Sequence, residues 1–219
     1  LPGNAAVSGS VTLDGEQLVG ASRRRLDALR GRRMGIVFQD PMTALTPHRT
    51  VGAQITEVVM QHEAATRAEA RRRALEIMER VRITDPERRF DMYPFELSGG
   101  MRQRIVIATA LVLRPALLIA DEPTTALDVT VQAEVLRTFR AVVEHTGTSL
   151  VLVTHDLGVV AGTCDEVAVM YAGRIVERAE AGELFRAPAH PYTRALLECR
   201  PRLDDAPAAR LRSIEGQPP

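Results

Sequence analysis

Short apolar segments alternate with longer amphipathic ones through much of the chain, and this pattern predicts an α/β protein. The continuous apolar runs are Met34 to Phe38, Leu117 to Ala120 and Leu150 to Val153, each of a length typical of a buried strand. A segment with helical spacing, Val129 to His145, separates the last two runs. Strands joined by helices of this length predict a parallel sheet that helices cover on both faces.

The residues before the first of these strands carry a different pattern. Val11 to Leu13 is followed by the turn dipeptide Asp14-Gly15, which predicts a short antiparallel hairpin. We expect a helix from about Ser22 to Leu29. The strand Met34 to Phe38 then ends at the polar residues Gln39-Asp40-Pro41, so it opens into a loop.

A block between about residues 41 and 97 has a helical pattern and almost no strand signal. From Val51 to Val81, Ala, Glu and Arg surround spaced Ile, Val, Met and Leu, which is typical of amphipathic helices. Ser98-Gly99-Gly100 then precedes a further helix, Met101 to Leu113, which Arg114-Pro115 ends. We expect the block to be a helical insertion in the α/β core.

The alternation continues towards the C-terminus. We expect a helix near Leu157 to Gly162, a strand from Glu166 to Met170, a turn at Ala172-Gly173 and a strand from Arg174 to Val176. The residues from Ala187 onward are rich in Pro, Arg and Ala, and this composition predicts an appended, partly extended tail.

The composition is that of an ordinary globular protein. Of 219 residues, 45% are apolar and 26% are charged, and 28 basic residues balance 28 acidic ones, so the net charge gives no reason to expect a nucleic acid partner. We interpret the clusters Arg23 to Arg25 and Arg71 to Arg73 as solvated helix faces. The longest near-apolar stretch, Ile105 to Leu113, is far shorter than the about 20 residues that cross a bilayer. Cys164 and Cys199 lack CxxC spacing, which predicts two inert, reduced thiols.

Two consecutive carboxylates follow the strand Leu117 to Ala120. Asp121 and Glu122 stand at its end, and ligands bind at strand ends in α/β sheets. One carboxylate there can hold Mg²⁺ through its water shell, and the next can orient and deprotonate an attacking water. The alternative is a strand that merely ends in two solvated acids.

The segment LSGGMRQR, Leu97 to Arg104, combines a serine, two glycines and a helix N-terminus. Gly99 and Gly100 let backbone N–H groups approach an anion closely, and the Ser98 hydroxyl adds a polar contact. An isolated Ser-Gly-Gly before a helix is usually only a cap. Before a strand that ends in Asp-Glu, however, the segment resembles the signature sequence of ATP-binding cassette (ABC) ATPases, which implies an anion-binding function.

Three further elements stand in a fixed order around these two motifs. Gln39 follows the strand MGIVF, Ala126-Leu127-Asp128 follows the carboxylates, and His155 follows LVLVT. In this order they resemble the Q-loop, the D-loop and the switch histidine of ATP-binding cassette (ABC) transporter ATPases, in which LSGGMRQR would be the signature sequence. The resemblance covers nearly the whole chain.

The resemblance implies an α/β, P-loop NTPase-like ABC ATPase core over residues 1–186. The helical subdomain would be the insertion at about 41–97, and a short antiparallel β portion would lie at the N-terminus. Residues 187–219 would form a C-terminal extension of the oligopeptide/dipeptide importer type.

The resemblance also implies roles around bound ATP. Asp121 would hold Mg²⁺, with Gln39 also at the metal site, and Glu122 would be the general base. His155 would steady the γ-phosphate. Gln39 would further link the state of the nucleotide to the helical insertion.

A dimer in which two cassettes sandwich ATP is implied as well. Ser98, Gly99 and Gly100 of one subunit would contact the γ-phosphate of the nucleotide bound to the other. Asp128 would lie at the seam between the subunits.

Two stretches resemble the oligopeptide and dipeptide importer ATPases within this family, FQDPMTALTP (Phe38 to Pro47) and HPYTRALL (His190 to Leu197). The resemblance implies a peripheral protein at the cytoplasmic face of the cell membrane. Its partners would be transmembrane permease subunits, a second ABC ATPase subunit, identical or homologous, and, indirectly, an extracytoplasmic substrate-binding protein.

The phosphate-binding loop G-x-x-x-x-G-K-[ST] does not occur, because all 28 basic residues are arginines. In this loop the lysine reaches the β- and γ-phosphates. In the family the loop precedes the segment resembling LPGNAAVSGSVTLDG, so we expect an N-terminal truncation rather than a diverged loop, and no activity from the fragment alone.

Two alternatives to an import ATPase remain. One is a truncated cassette without catalytic competence. The other is a non-transport ABC ATPase of DNA repair or translation. Repair relatives carry a very long coiled coil and translation relatives usually carry two cassettes, and neither feature fits this sequence.

Overall fold

A computed structural model describes residues 5–125 and 127–199, apart from the side chain of Met42. The chain divides into two compact units, residues 1–153 and 154–219. Within the described ranges, no helix is both long enough and apolar enough to cross a membrane.

The first unit begins with the hairpin that the sequence predicts. Strands β1 (Thr12–Leu13) and β2 (Glu16–Gln17) pair antiparallel around the turn Asp14-Gly15, where both residues have positive φ, as a type I′ turn requires. Helix α1 (Arg23–Leu29) follows, and the N–H of Arg25 donates to the hydroxyl of its N-cap Ser22. The local turn and capping residues thus suffice to define this segment.

A three-stranded parallel sheet forms the centre of the first unit. Its strands are β3 (Met34–Val37), β4 (Leu117–Asp121) and β5 (Ser149–Val153), with β4 in the middle. Met34 pairs with Leu117, which pairs with Ser149. The three strands and their parallel arrangement are as the sequence predicts.

Between β3 and β4 the chain is helical, as predicted. The helices are α2 (Pro41–Ala44), α3 (Val51–His62), α4 (Arg67–Arg80) and α5 (Pro86–Phe90), and a 3₁₀ turn at Pro94–Glu96 follows. Threonine hydroxyls at Thr50 and Thr66 accept N–H groups in the first turns of α3 and α4. These caps separate the long predicted helical stretch into two helices.

Helices α6 (Gly99–Leu111) and α7 (Val129–Thr146) complete the first unit. Buried side chains of both helices, among them Ile105 and Phe139, share a core with Val37 and Leu118 of the sheet. A glycine at position 35 allows α6 to approach β3, because a Cβ there would lie 2.8 Å from the carbonyl oxygen of Ala110. One face of the sheet is therefore closely packed.

The other face of this sheet is uncovered in the part of the chain that the structure describes. Ile36, Val151 and Val153 are 43%, 48% and 49% exposed, and they lie in register with Ile119 and Asp121 of the central strand. Because side chains alternate between faces along a strand, these residues share one face. The expectation of helices on both faces is therefore met on one side only.

The second unit contains an antiparallel hairpin between helices. Helix α8 (Leu157–Thr163) precedes β6 (Glu166–Tyr171) and β7 (Arg174–Glu180). The turn at Ala172-Gly173 has positive φ at both residues, as predicted for a tight hairpin turn. The last strand is longer than the predicted Arg174 to Val176, because its pairing with β6 continues to Glu180.

Two short helices follow the hairpin, α9 (Ala181–Arg186) and α10 (Pro191–Glu198). The tail, which the composition predicts to be partly extended, is helical over residues 191–198. His190 caps α10, since its Nδ1 accepts the N–H of Tyr192 at 3.1 Å, and Pro191 stands at the first helical position, where proline is favourable. The rest of the predicted tail, from residue 200, lies outside the described residues.

Candidate functional site

Two of the predicted site residues meet where β3 and β4 end. The Gln39 side-chain nitrogen Nε2 donates a hydrogen bond to Oε2 of Glu122 at 2.9 Å. The sheet register explains this contact: Val37 pairs with Ala120, and each site residue lies two positions beyond its strand's member of that pair. The carboxyl ends of parallel strands thus bring together residues that are far apart in the sequence.

The backbone around Glu122 fixes its carboxylate. Its φ is 43°, in the left-handed region that few residues other than glycine adopt, and its N–H donates to the carbonyl of Val153 at 2.8 Å. The hydroxyl of Thr125 donates to Oε2 of Glu122 at 2.9 Å, so this oxygen accepts from both Gln39 and Thr125. A strained backbone held by its surroundings is a feature of many functional sites.

Thr125 is not among the site residues predicted from the sequence. The sequence does contain a pattern that indicates this role, a threonine three residues after a carboxylate in the turn that begins at Pro123. Threonine hydroxyls form hydrogen bonds to nearby groups in turns. Its hydroxyl also donates to the backbone oxygen of Glu122 at 3.2 Å. Thr125 therefore positions the predicted base.

Asp121 directly precedes Glu122 in the chain. It is the last residue of β4, is exposed, and pairs in register with Val153. By strand alternation its side chain belongs to the same face as Ile119, which is the uncovered face of the sheet. A ligand on that face would therefore have a carboxylate within reach.

The predicted anion-binding segment lies against the start of α7. Ser98 is the N-cap of α6, and its hydroxyl accepts the N–H of Met101 at 3.3 Å. Asp128 caps α7 in the same way and accepts the N–H of Val131 at 2.9 Å. A Cβ added at Gly100 would lie 2.5 Å from Cγ1 of Val131. The two helix starts are thus in contact, while Ala126 lies outside the described residues.

Because of this contact, we expect Gly100→Ala to lower the free energy of unfolding by about 1–3 kcal/mol, the usual cost of overpacking. The added methyl group would overlap the side chain of Val131, which is itself held on α7. Gly99→Ala is the matched control, since its Cβ would lie 3.7 Å from the Leu127 side chain, an ordinary contact. Urea unfolding of both variants measures the difference.

Combining Gly100→Ala with Val131→Ala should recover part of the loss if the overlap is its cause. Equal stability of the Gly99 and Gly100 variants would contradict the packing argument. The result would then show that the glycine at position 100 is not required by the fold.

An ion pair on the same surface links α6 to α7. Nη2 of Arg104 lies 2.7 Å from a carboxylate oxygen of Glu134, and Nη1 donates to the backbone oxygen of Arg82 at 3.1 Å. Only 14% of the Arg104 side chain is exposed, so solvent screens this pair less than an open surface pair. Arg104 therefore holds the first turns of α6, which contain Gly99 and Gly100, against α7 and the backbone at Arg82.

His155 belongs to the second unit, where it is exposed in the turn before α8. The residues on either side of it fix that turn. The carboxylate of Asp156 accepts the N–H of Gly158 at 2.8 Å, and the hydroxyl of Thr154 accepts the N–H of Asp156 at 3.0 Å. The histidine thus stands on a well-defined turn.

The described residues hold no cluster of metal-binding side chains, and the thiol of Cys164 is a poor nucleophile. No three or more histidine, cysteine or acidic side chains in these ranges are grouped to hold a metal ion. Burial, together with the charge of Asp165, raises the pKa of the Cys164 thiol, so the nucleophilic thiolate is disfavoured.

Two family profiles match the sequence. The profile of the ABC transporter family matches residues 3–125, which is more than half of the chain. The profile described as the oligopeptide/dipeptide transporter C-terminal region matches residues 176–219. This second match begins in β7 and includes α9 and α10.

Curated relatives show the same likeness. The chain is 53% identical to the probable peptide ABC transporter ATP-binding protein y4tR of Sinorhizobium fredii, over 97% of this chain and 64% of that protein. It is 49% identical to the oligopeptide transport ATP-binding protein OppD of Bacillus subtilis, over 96% of this chain and 59% of that protein. The chain thus spans about three fifths of the length of these relatives.

Solved structures resemble the fold. A dimeric ATP-binding cassette in a post-hydrolysis state, bound to ADP and Pi, matches with a TM-score of 0.70 and 27% identity, over 80% of this chain and 74% of that chain. The protein cbiO1 of Clostridium perfringens, part of an ABC transporter complex, matches with a TM-score of 0.71 and 30% identity. The match covers 82% of this chain and 69% of that chain. These likenesses confirm the predicted fold class.

Proposed function

The chain belongs to the ABC transporter family, and we propose that it is the greater part of an ATP-binding, ATP-hydrolysing subunit that powers a peptide importer. The observation that carries the proposal is the hydrogen bond between Gln39 and Glu122. It joins two motifs that lie 83 residues apart at the strand ends where α/β proteins bind ligands.

In this proposal Glu122 is the general base of ATP hydrolysis. Its carboxylate is oriented by Gln39 and Thr125, so it can align an attacking water and accept its proton. Phosphoryl transfer depends mainly on positioning and charge stabilisation. His155, exposed on the fixed turn before α8, would donate to the γ-phosphate.

The residues at this edge of the sheet fit a magnesium ion. Mg²⁺ usually takes one or two carboxylates together with water and substrate phosphates, rather than a cage made only of protein. The exposed Asp121 carboxylate would be such a ligand, and Gln39, which follows the neighbouring strand β3, would offer an amide oxygen. When bound with ATP, the ion would neutralise charge on the phosphates.

We further propose that the subunit acts as a dimer. Ser98, Gly99 and Gly100 stand at the N-terminus of a 13-residue helix, where backbone N–H groups favour an anion. These residues would contact ATP held by the partner subunit, and Asp128 would lie at the seam. The resemblance to a cassette solved as a dimer supports this arrangement.

The names of the relatives support a proposal for the transported substrate and the membrane partners. The names of these relatives describe peptide and oligopeptide transport, and the C-terminal match is to the corresponding transporter group. We propose that the subunit binds transmembrane permease subunits at the cytoplasmic face of the membrane. A substrate-binding protein outside the membrane would deliver the peptide to those permeases.

The helical block of residues 41–97 is the proposed docking surface for the permease, because it directly follows Gln39. It carries exposed apolar side chains, including Phe95 at 65% and Met60 at 48%, and the rings of Tyr93 and Phe95 stack with centroids 5.5 Å apart. Large exposed apolar side chains of this kind favour a protein partner. Gln39 would connect this surface to the nucleotide.

Cysteine crosslinking in the assembled transporter tests both the docking surface and the transport function. With Cys164 and Cys199 replaced by serine, we expect Phe95→Cys and Met60→Cys to crosslink to a permease, whereas Arg194→Cys on exposed α10 should not. Crosslinks concentrated at position 194 would show that the docking assignment is wrong. Absence of permease crosslinks at all three positions would favour a non-transport ABC ATPase.

A further inference from the structure

A second candidate binding site lies in the first unit, away from the strand ends. It is a cleft of about 380 Å³ between the C-terminal halves of α4, α6 and α7. Its floor is apolar and contains Ile77 and residues 111–113, and its rim carries six charged side chains, which are Glu63, Arg72, Arg73, Glu76, Arg80 and Arg114. None of these residues has a role in the proposed nucleotide site.

The two acidic residues of the cleft are already paired. Glu63 forms an ion pair with Arg73, and Glu76 forms one with Arg72. Arg73 also donates to the backbone oxygen of Val112 at 2.9 Å. This bond satisfies a carbonyl group at the C-terminal end of α6, where no helical N–H group is available. These contacts account for two of the four arginines.

The other two arginines leave a positive charge at the rim. Arg80 and Arg114 are exposed, and in residues 5–125 and 127–199 neither forms an ion pair. With four arginines against two glutamates, the cleft carries two unneutralised positive charges. Guanidinium groups bind phosphate oxygens in a bidentate manner.

The backbone of Arg114 supports a role for its side chain. Its φ is 51°, a conformation that favours glycine, and it directly precedes Pro115, which restricts its backbone further. Its N–H donates to the carbonyl of Leu111 at 2.8 Å and ends α6. Glycine would form this turn at lower cost, so the arginine at this position is not explained by the fold alone.

From the volume, the apolar floor and the two unpaired guanidinium groups, we propose that this cleft binds a phosphate-bearing anion between Arg80 and Arg114. A phosphate group would contact the guanidinium groups, and the less polar part of the ligand would lie on Ile77 and the end of α6. Both a soluble phosphate compound and the headgroup of an anionic phospholipid carry this chemistry.

Calorimetric titration of the full chain with inorganic pyrophosphate tests the site. We expect Arg80→Gln and Arg114→Gly each to weaken binding at least about tenfold, the scale of losing a hydrogen bond to a charged group. Arg114→Gly should melt no lower than the parent chain, since glycine relieves the positive φ. If Arg114→Gly loses pyrophosphate binding but keeps the melting temperature of the parent chain, Arg114 has a binding role rather than a structural one.

Two matched controls should keep the parent affinity within twofold. Arg82→Gly also removes an exposed arginine at positive φ, 59°, and Arg67→Gln removes an exposed arginine from the same helix as Arg80. Neither side chain lines the cleft. A loss of affinity in these controls equal to that in the cleft variants would overturn the proposal, because it would reflect net charge alone.

Flotation with vesicles of phosphatidylglycerol, and of phosphatidylcholine as the neutral control, distinguishes the two sources. Binding to phosphatidylglycerol that depends on Arg80 and Arg114, without pyrophosphate binding, assigns a lipid headgroup. Pyrophosphate binding that depends on the two arginines, without vesicle binding, assigns a soluble phosphate compound. If pyrophosphate and the vesicles both bind through these arginines, the site recognises the phosphate group that the two ligands share. If neither probe binds, or if the cleft variants bind both probes as the parent chain does, the proposal is wrong.

Discussion

Glu122→Gln should reduce ATP turnover by about 10² or more in a subunit that includes a phosphate-binding loop, and it should leave ATP binding intact. This is the scale of lost general-base assistance. The amide oxygen of glutamine can still accept from Gln39 and Thr125, which both donate to Oε2 of Glu122. The geometry should therefore persist while the capacity to accept a proton is lost. Steady-state hydrolysis and equilibrium nucleotide binding give the two readouts.

Two control variants sharpen this test. Thr125→Val removes one hydrogen-bond donor but keeps the carboxylate, so its loss of turnover should be smaller than that of Glu122→Gln. Glu144→Gln changes an exposed acid on α7 that pairs with Arg140 and should have no effect. We also expect Glu122→Gln to accumulate the ATP-bound dimer, which size-exclusion chromatography detects. Unchanged turnover in this variant would remove Glu122 from its role as base.

The chain Leu1–Pro219 by itself should neither bind ATP tightly nor hydrolyse it. Its 219 residues contain no lysine and no phosphate-binding loop, and that loop supplies much of the positioning and charge neutralisation of phosphoryl transfer. Asp121 and Glu122 would then lack a bound phosphate to act on. A fluorescent ATP analogue and a phosphate-release assay measure binding and turnover.

The uncovered face of the sheet predicts a physical property of the same chain. Ile36, Val151 and Val153 expose apolar surface there, which favours association, so we expect poor solubility. The matched comparison is the same chain joined to an upstream segment that contains the loop, which should hydrolyse ATP. Magnesium-dependent turnover by the 219-residue chain at the rate of an intact cassette, abolished by Glu122→Gln, would contradict this prediction and require another phosphate site.

Short-range patterns predicted most of the elements. The hairpin around Asp14-Gly15, the central strands and the helical pattern from Val51 to Val81 form as expected, because turn residues and the period of apolar positions act over a few residues. The tail was predicted less well. Its content of proline, arginine and alanine suggested a partly extended segment and did not reveal the helix that begins at Pro191.

The sequence by itself determined which chemical groups are present and in what order, since the motifs from Gln39 to His155 can be recognised without coordinates. Only the tertiary structure decided which groups meet. The contact of Gln39 with Glu122 depends on the register between β3 and β4, and the close approach of Val131 to Gly100 depends on how two helices pack. Such contacts join residues far apart in the chain, and their distances are set by the packing of whole elements, which no local pattern encodes.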